Sequence, residues 1–220
     1  MKLFSKLFLL CALLSGTISH AQGGKNYGKE AEYLWASGLY CEAADAFKNA
    51  SLKMHVKNEK AKETKAKYAF LSGECYKLKH DFASAEQQYE VAILLGYHET
   101  DPKVYFYLAE MQMAQGEHKK AEGNYKKYKE LNPADPIADI RIESCKGYKD
   151  FVKNKTRHEI EALIKLNTPN FDYSTVLSSR GDKLYFTSSR SAATGDETDQ
   201  STCEDYTDIF VTTIDKKGNY

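Results

Sequence analysis

Three times in its first 130 residues the chain places an alanine, an aromatic residue four positions on, and a further core-type residue three beyond that. The trios are Ala43, Phe47 and Ala50; Ala85, Tyr89 and Ala92; and Ala121, Tyr125 and Tyr128. Steps of four and three put each trio on one face of a helix. Upstream of each lies another helical segment, with Gly73 and Tyr76 before the second trio and Tyr105, Leu108 and Ala109 before the third, where Gly116 marks the turn. Small residues at fixed places let two helices approach closely, and the aromatics fill the space between neighbouring pairs. Such a unit cannot bury its apolar face alone, so its recurrence confines residues 22–155 to a stack of helix pairs. A further helix over 137–153 is expected to cap the stack, because a terminal repeat needs a covered end.

This order resembles the tetratricopeptide repeat, whose pattern runs W-x2-L-G-x2-Y, then A-x3-F, then P over 34 residues. Leu131-Asn132-Pro133 closes the third unit, and Glu30 stands in the first where the pattern has Leu. The alanine anchors are 42 and 36 residues apart, and the extra length of the first interval is expected as an extended helix in 53–67. The resemblance implies a concave face built from the first helix of each repeat. Alignment on the alanines brings Lys25, Lys67 and Lys103 to one position, Glu32, Glu74 and Glu110 to another, Phe70 and Phe106 to a third, and Trp35, Lys77 and Met113 to a fourth. Lys and Glu there are equally read as a solvated face. The recurring Phe on an open face favours a peptide groove, with Trp35, Phe70, Glu74, Phe106, Glu110 and Met113 as partner-binding candidates, Phe70 and Phe106 pointing away from the helix–helix core. Relatives that grip a C-terminal carboxylate use Lys, Arg and Asn, so the glutamates argue against that ligand.

Lys2 and Lys6 followed by an apolar run and Ser19-His20-Ala21 have the form of a signal peptide, with cleavage expected after Ala21. Cys11 does not fit a lipoprotein site, because it lies inside the apolar run behind the large Leu10. Beyond this segment no apolar run reaches the ~18 residues of a membrane span. With Lys+Arg and Asp+Glu both 31, no nucleic-acid partner is expected. Residues 22–158 hold 23 basic and 20 acidic side chains, a balance of +3; residues 159–220 hold 6 and 11, a balance of −5. Two domains fit that split.

From Thr168 the periodicity changes to two. Runs over 171–177, 183–190 and 207–214, rich in β-branched and aromatic residues, are separated by Ser179-Arg180-Gly181-Asp182 and by an acidic loop. They read as strands and hairpins. The order resembles the WD40-like repeat of TolB-type β-propellers, most closely at Gly181, Leu184 to Ser188, Arg190, Asp208 and Ile209, and departs from it at Ser179-Arg180. The expected fold is therefore α then β: a signal peptide at 1–21, a tetratricopeptide-type α-solenoid over 22–155, a linker at 156–170, and the first blade of a β-propeller over 171–220. A propeller needs at least four blades of about 40–45 residues. Either the chain is the front of a longer protein, which its length favours, or the hairpins pack directly on the helices.

No phosphate loop, nucleophile elbow or H-E-x-x-H pattern is present, so no catalytic residue and no cofactor is expected. Asp196, Glu197, Asp199, Glu204, Asp205 and Asp208 crowd one loop but lack the spacing of a calcium loop, and no metal is expected there. Cys41, Cys75, Cys145 and Cys203 allow three disulfide pairings, and the sequence selects none. The order of signal, repeats, linker and propeller resembles OmpA-family envelope proteins of Bacteroidetes, particularly the PorE-type component of type IX secretion; residues 167–173 and Thr207-Asp208-Ile209-Phe210 carry most of that likeness. It implies a non-catalytic periplasmic scaffold associated with the outer membrane, holding protein partners of the secretion and gliding machinery. Peptidoglycan would be bound only through domains absent from these residues. The competing expectation is the propeller-containing front of an exported peptidase or ligand-sensing envelope protein.

Overall fold

The recurring alanines are the points where helices meet. A computed structural model describes residues 26–154, 156–159, 161–194, 197–200 and 203–220; the expected signal peptide, Lys25 and Asp196 lie outside the described residues. Among the described residues eight helices come first: α1 (Tyr27–Ala36), α2 (Tyr40–Lys53), α3 (Glu59–Leu78), α4 (Phe82–Leu94), α5 (Tyr97–Thr100), α6 (Lys103–Ala114), α7 (His118–Leu131) and α8 (Ile137–Lys153). Apart from the one-turn α5, each packs on the next, so α1–α2, α3–α4 and α6–α7 form three pairs and α8 covers the last. This is a tetratricopeptide-like solenoid. Ala43, Ala85 and Ala121 have no exposed surface, and neither do Phe47, Tyr89 and Tyr125 one turn later.

Close approach at these alanines requires small residues on the opposing helix as well. A Cβ added to Gly73 of α3 would sit 2.7 Å from the ring of Tyr89, which is itself fully buried. The turn inside each pair needs a left-handed residue five positions before the anchor: Gly38, His80 and Gly116 have φ of 74°, 55° and 77°. Glycine fills two of these without strain, and His80 is the exception. Side-chain caps start α1, α3 and α4, where Asn26, Asn58 and Asp81 accept from Lys29, Ala61 and Ser84 backbone N–H groups.

The extra length of the first interval is mostly helix. α3 runs 20 residues against 12 for α6. The expected continuous helix over 53–67 is corrected at one point: Lys53 closes α2, and residues 54–58 form a connection before Asn58 caps α3. The second interval carries α5, entered through Gly96 at φ 92°.

Five strands follow: β1 (Asp172–Leu177), β2 (Lys183–Ser188), β3 (Thr198–Asp199), β4 (Glu204–Asp205) and β5 (Asp208–Thr213). The order β1-β2-β5 makes an antiparallel sheet, and β3-β4 form a separate small hairpin. β2 and β5 pair without interruption from Lys183↔Thr213 to Ser188↔Asp208, while β1 is broken by a bulge between Tyr173 and Val176, where Ser174 has φ 55°. The residues that carry the propeller resemblance hold this unit together. Arg190 donates to the Leu166 carbonyl at 2.7 Å and to Asp172 at 2.9 Å, with its guanidinium over Phe186 and Phe210. Asp208 accepts from the backbone and hydroxyl of Thr194, both at 2.6 Å. Gly181 turns between β1 and β2 at φ 70°. Partial burial would raise the Asp172 carboxyl, but hydrogen bonds from Ser188, Arg190 and Thr168 hold it well below the usual carboxylate range.

Of the possible cysteine pairings, one is formed. Cys41 in the first turn of α2 is bonded to Cys203 in the β3–β4 turn, 162 residues away, with Cα atoms 5.5 Å apart. Closing a loop of that length removes unfolded-state entropy equivalent to about 5 kcal/mol in the chain-entropy model. Cys75 and Cys145 are free and buried.

Two outcomes are expected. Limited proteolysis should cut first between residues 154 and 171, where no described residue lies in a helix or strand. The nicked chain should then run as one band on a non-reducing gel and as two after reduction. Gly73→Ala should drive a methyl group into the Tyr89 ring and lower stability by roughly 1–3 kcal/mol, read as a drop in the thermal midpoint by circular dichroism.

Candidate functional site

Tyrosine is abundant in this chain, with 16 in 220 residues, and a buried phenol needs an acceptor for its hydroxyl. The glutamates at the repeat-equivalent position supply it. Tyr89 of α4 donates to Glu74 of α3 at 2.5 Å, and Tyr125 of α7 donates to Glu110 of α6, both pairs 15 residues apart. In the first repeat the residue matching Tyr89 is Phe47, which has no hydroxyl. Glu32 of α1 instead accepts from Tyr68 of α3 at 2.9 Å, across to the next repeat. Tyr76 donates to Asp45 between α3 and α2, and Tyr128 donates to Asp135 at 2.6 Å. The carboxylates expected to form a free ladder along a groove are thus bound from behind by phenols of neighbouring helices.

Cations complete these units. Lys77 pairs with Glu74 at 2.7 Å and lies over the Tyr107 ring. Arg141 of α8 approaches both oxygens of Glu110, Nε at 2.9 Å and Nη2 at 3.2 Å. Burial is the main reason the phenols ionise less readily, with hydrogen bonds and nearby carboxylates adding to it. Tyr68 is pushed up to about 12, and Tyr76, Tyr89 and Tyr125 further. Tyr97 is also raised to about 12, by burial and then by Asp101 and Glu74.

The two phenylalanines anchor a continuous row of rings. Phe70 stacks on Tyr97 with centroids 4.5 Å apart and touches Tyr89 and Tyr107. Tyr107 meets Phe106, which packs on Tyr125 and Tyr128. Both Phe70 and Phe106 are half-buried. The expectation that they point away from the helix–helix core is therefore corrected: each rests on a fully buried tyrosine of its own repeat. Trp35 lies edge-on to Tyr40 and Phe47, outside this row. Met113 is half-buried against Cys145 and His118 at the α8 end. Phe70, Phe106, Glu74 and Glu110 are thereby brought together through shared contacts, while Trp35 and Met113 stand at opposite ends. Sequence reasoning missed Tyr97, Tyr107 and the role of Lys77. Tyr97 belongs to an α5 that has no counterpart in the other repeats. The Glu-to-Tyr separation of 15, recurring twice, was the legible sign of the carboxylate pairing.

In the acidic loop, Asp208 is held by Thr194, and Thr198 pairs with Asp205 and Asp199 with Glu204 across the small hairpin. Among the described residues no group of three or more His, Cys, Asp or Glu could hold a metal ion. No helix among them is long and apolar enough to cross a membrane.

No family model matches the chain, and no curated protein matches it. Several solved structures are similar. The Yersinia enterocolitica type III secretion chaperone SycD in complex with a peptide of the translocator YopD has 19% identity and a TM-score of 0.45, covering 56% of this chain and 92% of that one. The Arabidopsis OM64 TPR domain has 16% identity and a TM-score of 0.44, over 56% and 93%. A T3SS complex from Aeromonas hydrophila has 20% identity and a TM-score of 0.46, over 66% and 97%.

The buried phenols set an alkaline limit. A phenol raised in the folded state leaves stability unchanged below its unfolded value near 10 and removes stability as pH climbs from there toward the folded value. Helicity should hold up to about pH 10 and then be lost steeply over pH 10–12, with tyrosinate absorbance rising in the same transition. Helicity that stays intact up to about pH 12 would contradict this.

Proposed function

We propose that the helical repeats are a non-catalytic scaffold that holds a partner protein along the aromatic row of Phe70, Tyr97, Tyr107 and Phe106. The observation that carries this reading is the row itself. It joins two repeats through α5, stays half-buried rather than covered, and is rimmed by charges already paired within the chain. Partly exposed rings fixed by neighbours lose little conformational freedom on contact, and they suit the centre of an interface. Because Glu74 and Glu110 are engaged by tyrosine hydroxyls, we assign them to holding the row in place rather than to gripping a ligand.

The finer reading rests on the sequence resemblance. We place the protein, after export, in the periplasm beside the outer membrane, as a scaffold of type IX secretion in an OmpA-type envelope protein. The strands are then the first blade of a propeller. The sheet's composition supports that placement: Tyr173, Val176, Tyr185, Ile209 and Val211 share one face, and Ile209 and Val176 are 78% and 62% exposed. An apolar sheet face of that kind normally packs on a further layer.

The test is a photo-crosslinking amino acid at Phe70, which keeps a ring in place, in cells or envelope extract. The protein that crosslinks there should be missing from a pull-down with the Phe70→Ala, Phe106→Ala variant. Removing two half-buried rings costs stability, by about 2 kcal/mol each at half burial, so the double variant is scored only below its own thermal midpoint. Crosslinks at Val211 with none at Phe70 would move partner binding to the sheet and overturn the assignment.

A further inference from the structure

The N-terminus of α2 is completed by the β unit. Leu39 occupies its N-cap position and makes no side-chain cap, unlike Asn26, Asn58 and Asp81 at the starts of α1, α3 and α4. The first amides of a helix need acceptors, and one is found across the chain: the Cys41 N–H donates to the Gln200 carbonyl at 3.2 Å. Gln200 directly follows β3, and Cys203 precedes β4. Cys203 takes φ 64° and donates its N–H to the Asp199 carbonyl at 2.7 Å. The disulfide to Cys41 therefore joins two short, separately organised pieces. The remaining described ring contact between the units is His80, in the α3–α4 turn, edge-on to Phe171 with centroids 5.6 Å apart. No strand packs broadly along a helix among the described residues.

We propose that Cys41–Cys203 is a redox latch that seats the β unit on the turns of the first two helix pairs and releases it when a dithiol reductant opens the bond. In that exchange one reductant thiolate attacks one sulfur of the bond and the other sulfur leaves as a thiolate. The second reductant thiol then attacks the reductant's own sulfur in that mixed disulfide, and the remaining protein cysteine leaves as a thiolate. The reductant ends as a disulfide, and two electrons and two protons are left on Cys41 and Cys203. Both half-cystines are half-buried rather than enclosed, so a thiol can reach them. The free cysteines do not compete. Cys75 and Cys145 are buried in the helical core, and burial pushes the Cys75 thiol up to about 12. Release uncaps α2 and frees the sheet to move on its linker, while the α6–α7–α8 end, which has no part in the contact, stays as it is.

Hydrogen-exchange mass spectrometry on the full chain, oxidised and reduced with dithiothreitol, tests this alongside the Cys41→Ser, Cys203→Ser double variant. Opening the bond, by either route, should speed exchange at least tenfold in the first turn of α2 and in residues 197–206. Exchange in α6 and α7 should be unchanged. Small-angle scattering should show a larger radius of gyration for the opened forms. His80→Gly, which keeps the left-handed turn and removes the ring, should matter in the reduced chain and little in the oxidised one. Three results would overturn the proposal: Cys41 and Cys203 mapped as free thiols in the oxidised chain; equal exchange and equal size in both forms; or faster exchange throughout α1–α8, which makes the bond a global staple. Because no partner is involved, failure here leaves the aromatic-row assignment standing.

Discussion

The structure depends on how closely two helices can approach. At Ala43, Ala85 and Ala121 the side chain is a single methyl group with no exposed surface, and the aromatic residue one turn on fills the volume left beside it. At Gly73 even a methyl group is too much. Interiors packed at this density tolerate little change of volume. The pair geometry therefore fixes where each aromatic ring stands, and the rings fix which polar groups must meet them. Everything in the candidate site follows from that order of constraint.

A phenol held in a helix–helix seam cannot keep its water, so its hydroxyl takes the nearest acceptor that the same packing presents. In the second and third repeats that acceptor is the glutamate of the facing helix, and in the first, where phenylalanine replaces tyrosine, the glutamate is reached from the next repeat. A hydrogen bond to a charged group is worth more than a neutral one, about 1.5–3 kcal/mol. These contacts orient the rings beneath Phe70 and Phe106, and so set the row of half-buried aromatics proposed to receive a partner. Lys77 and Arg141 balance the two carboxylates locally, which leaves the row apolar at its centre.

Much of this was legible in the sequence. The alanine and aromatic spacing located three helix pairs, and the capping helix expected over 137–153 is α8, Ile137–Lys153. The strand runs were legible because β-branched and aromatic residues stood between turn residues, although the β1 bulge was not, since Ser174 gives no local sign of a left-handed backbone. The tyrosine contacts of Glu74 and Glu110 were not legible in helical periodicity, for a definable reason. Periodicity reports which side of a helix a residue occupies, but not whether a long side chain there is claimed by a neighbour. The disulfide depended on a juxtaposition 162 residues apart, and pairing that distant leaves no trace in local pattern.

The central claim is that each tyrosine–carboxylate contact braces its helix pair, and a double-mutant cycle on Tyr125 and Glu110 measures it most directly. Tyr125→Phe, Glu110→Ala and the double variant would be compared with the parent by denaturant unfolding. The account predicts a coupling of roughly 1–2 kcal/mol, because each single change leaves a buried partner unmatched and the double change does not. Strictly additive losses, with coupling within about 0.3 kcal/mol of zero, would contradict it. The glutamates would then return to the surface as free charges.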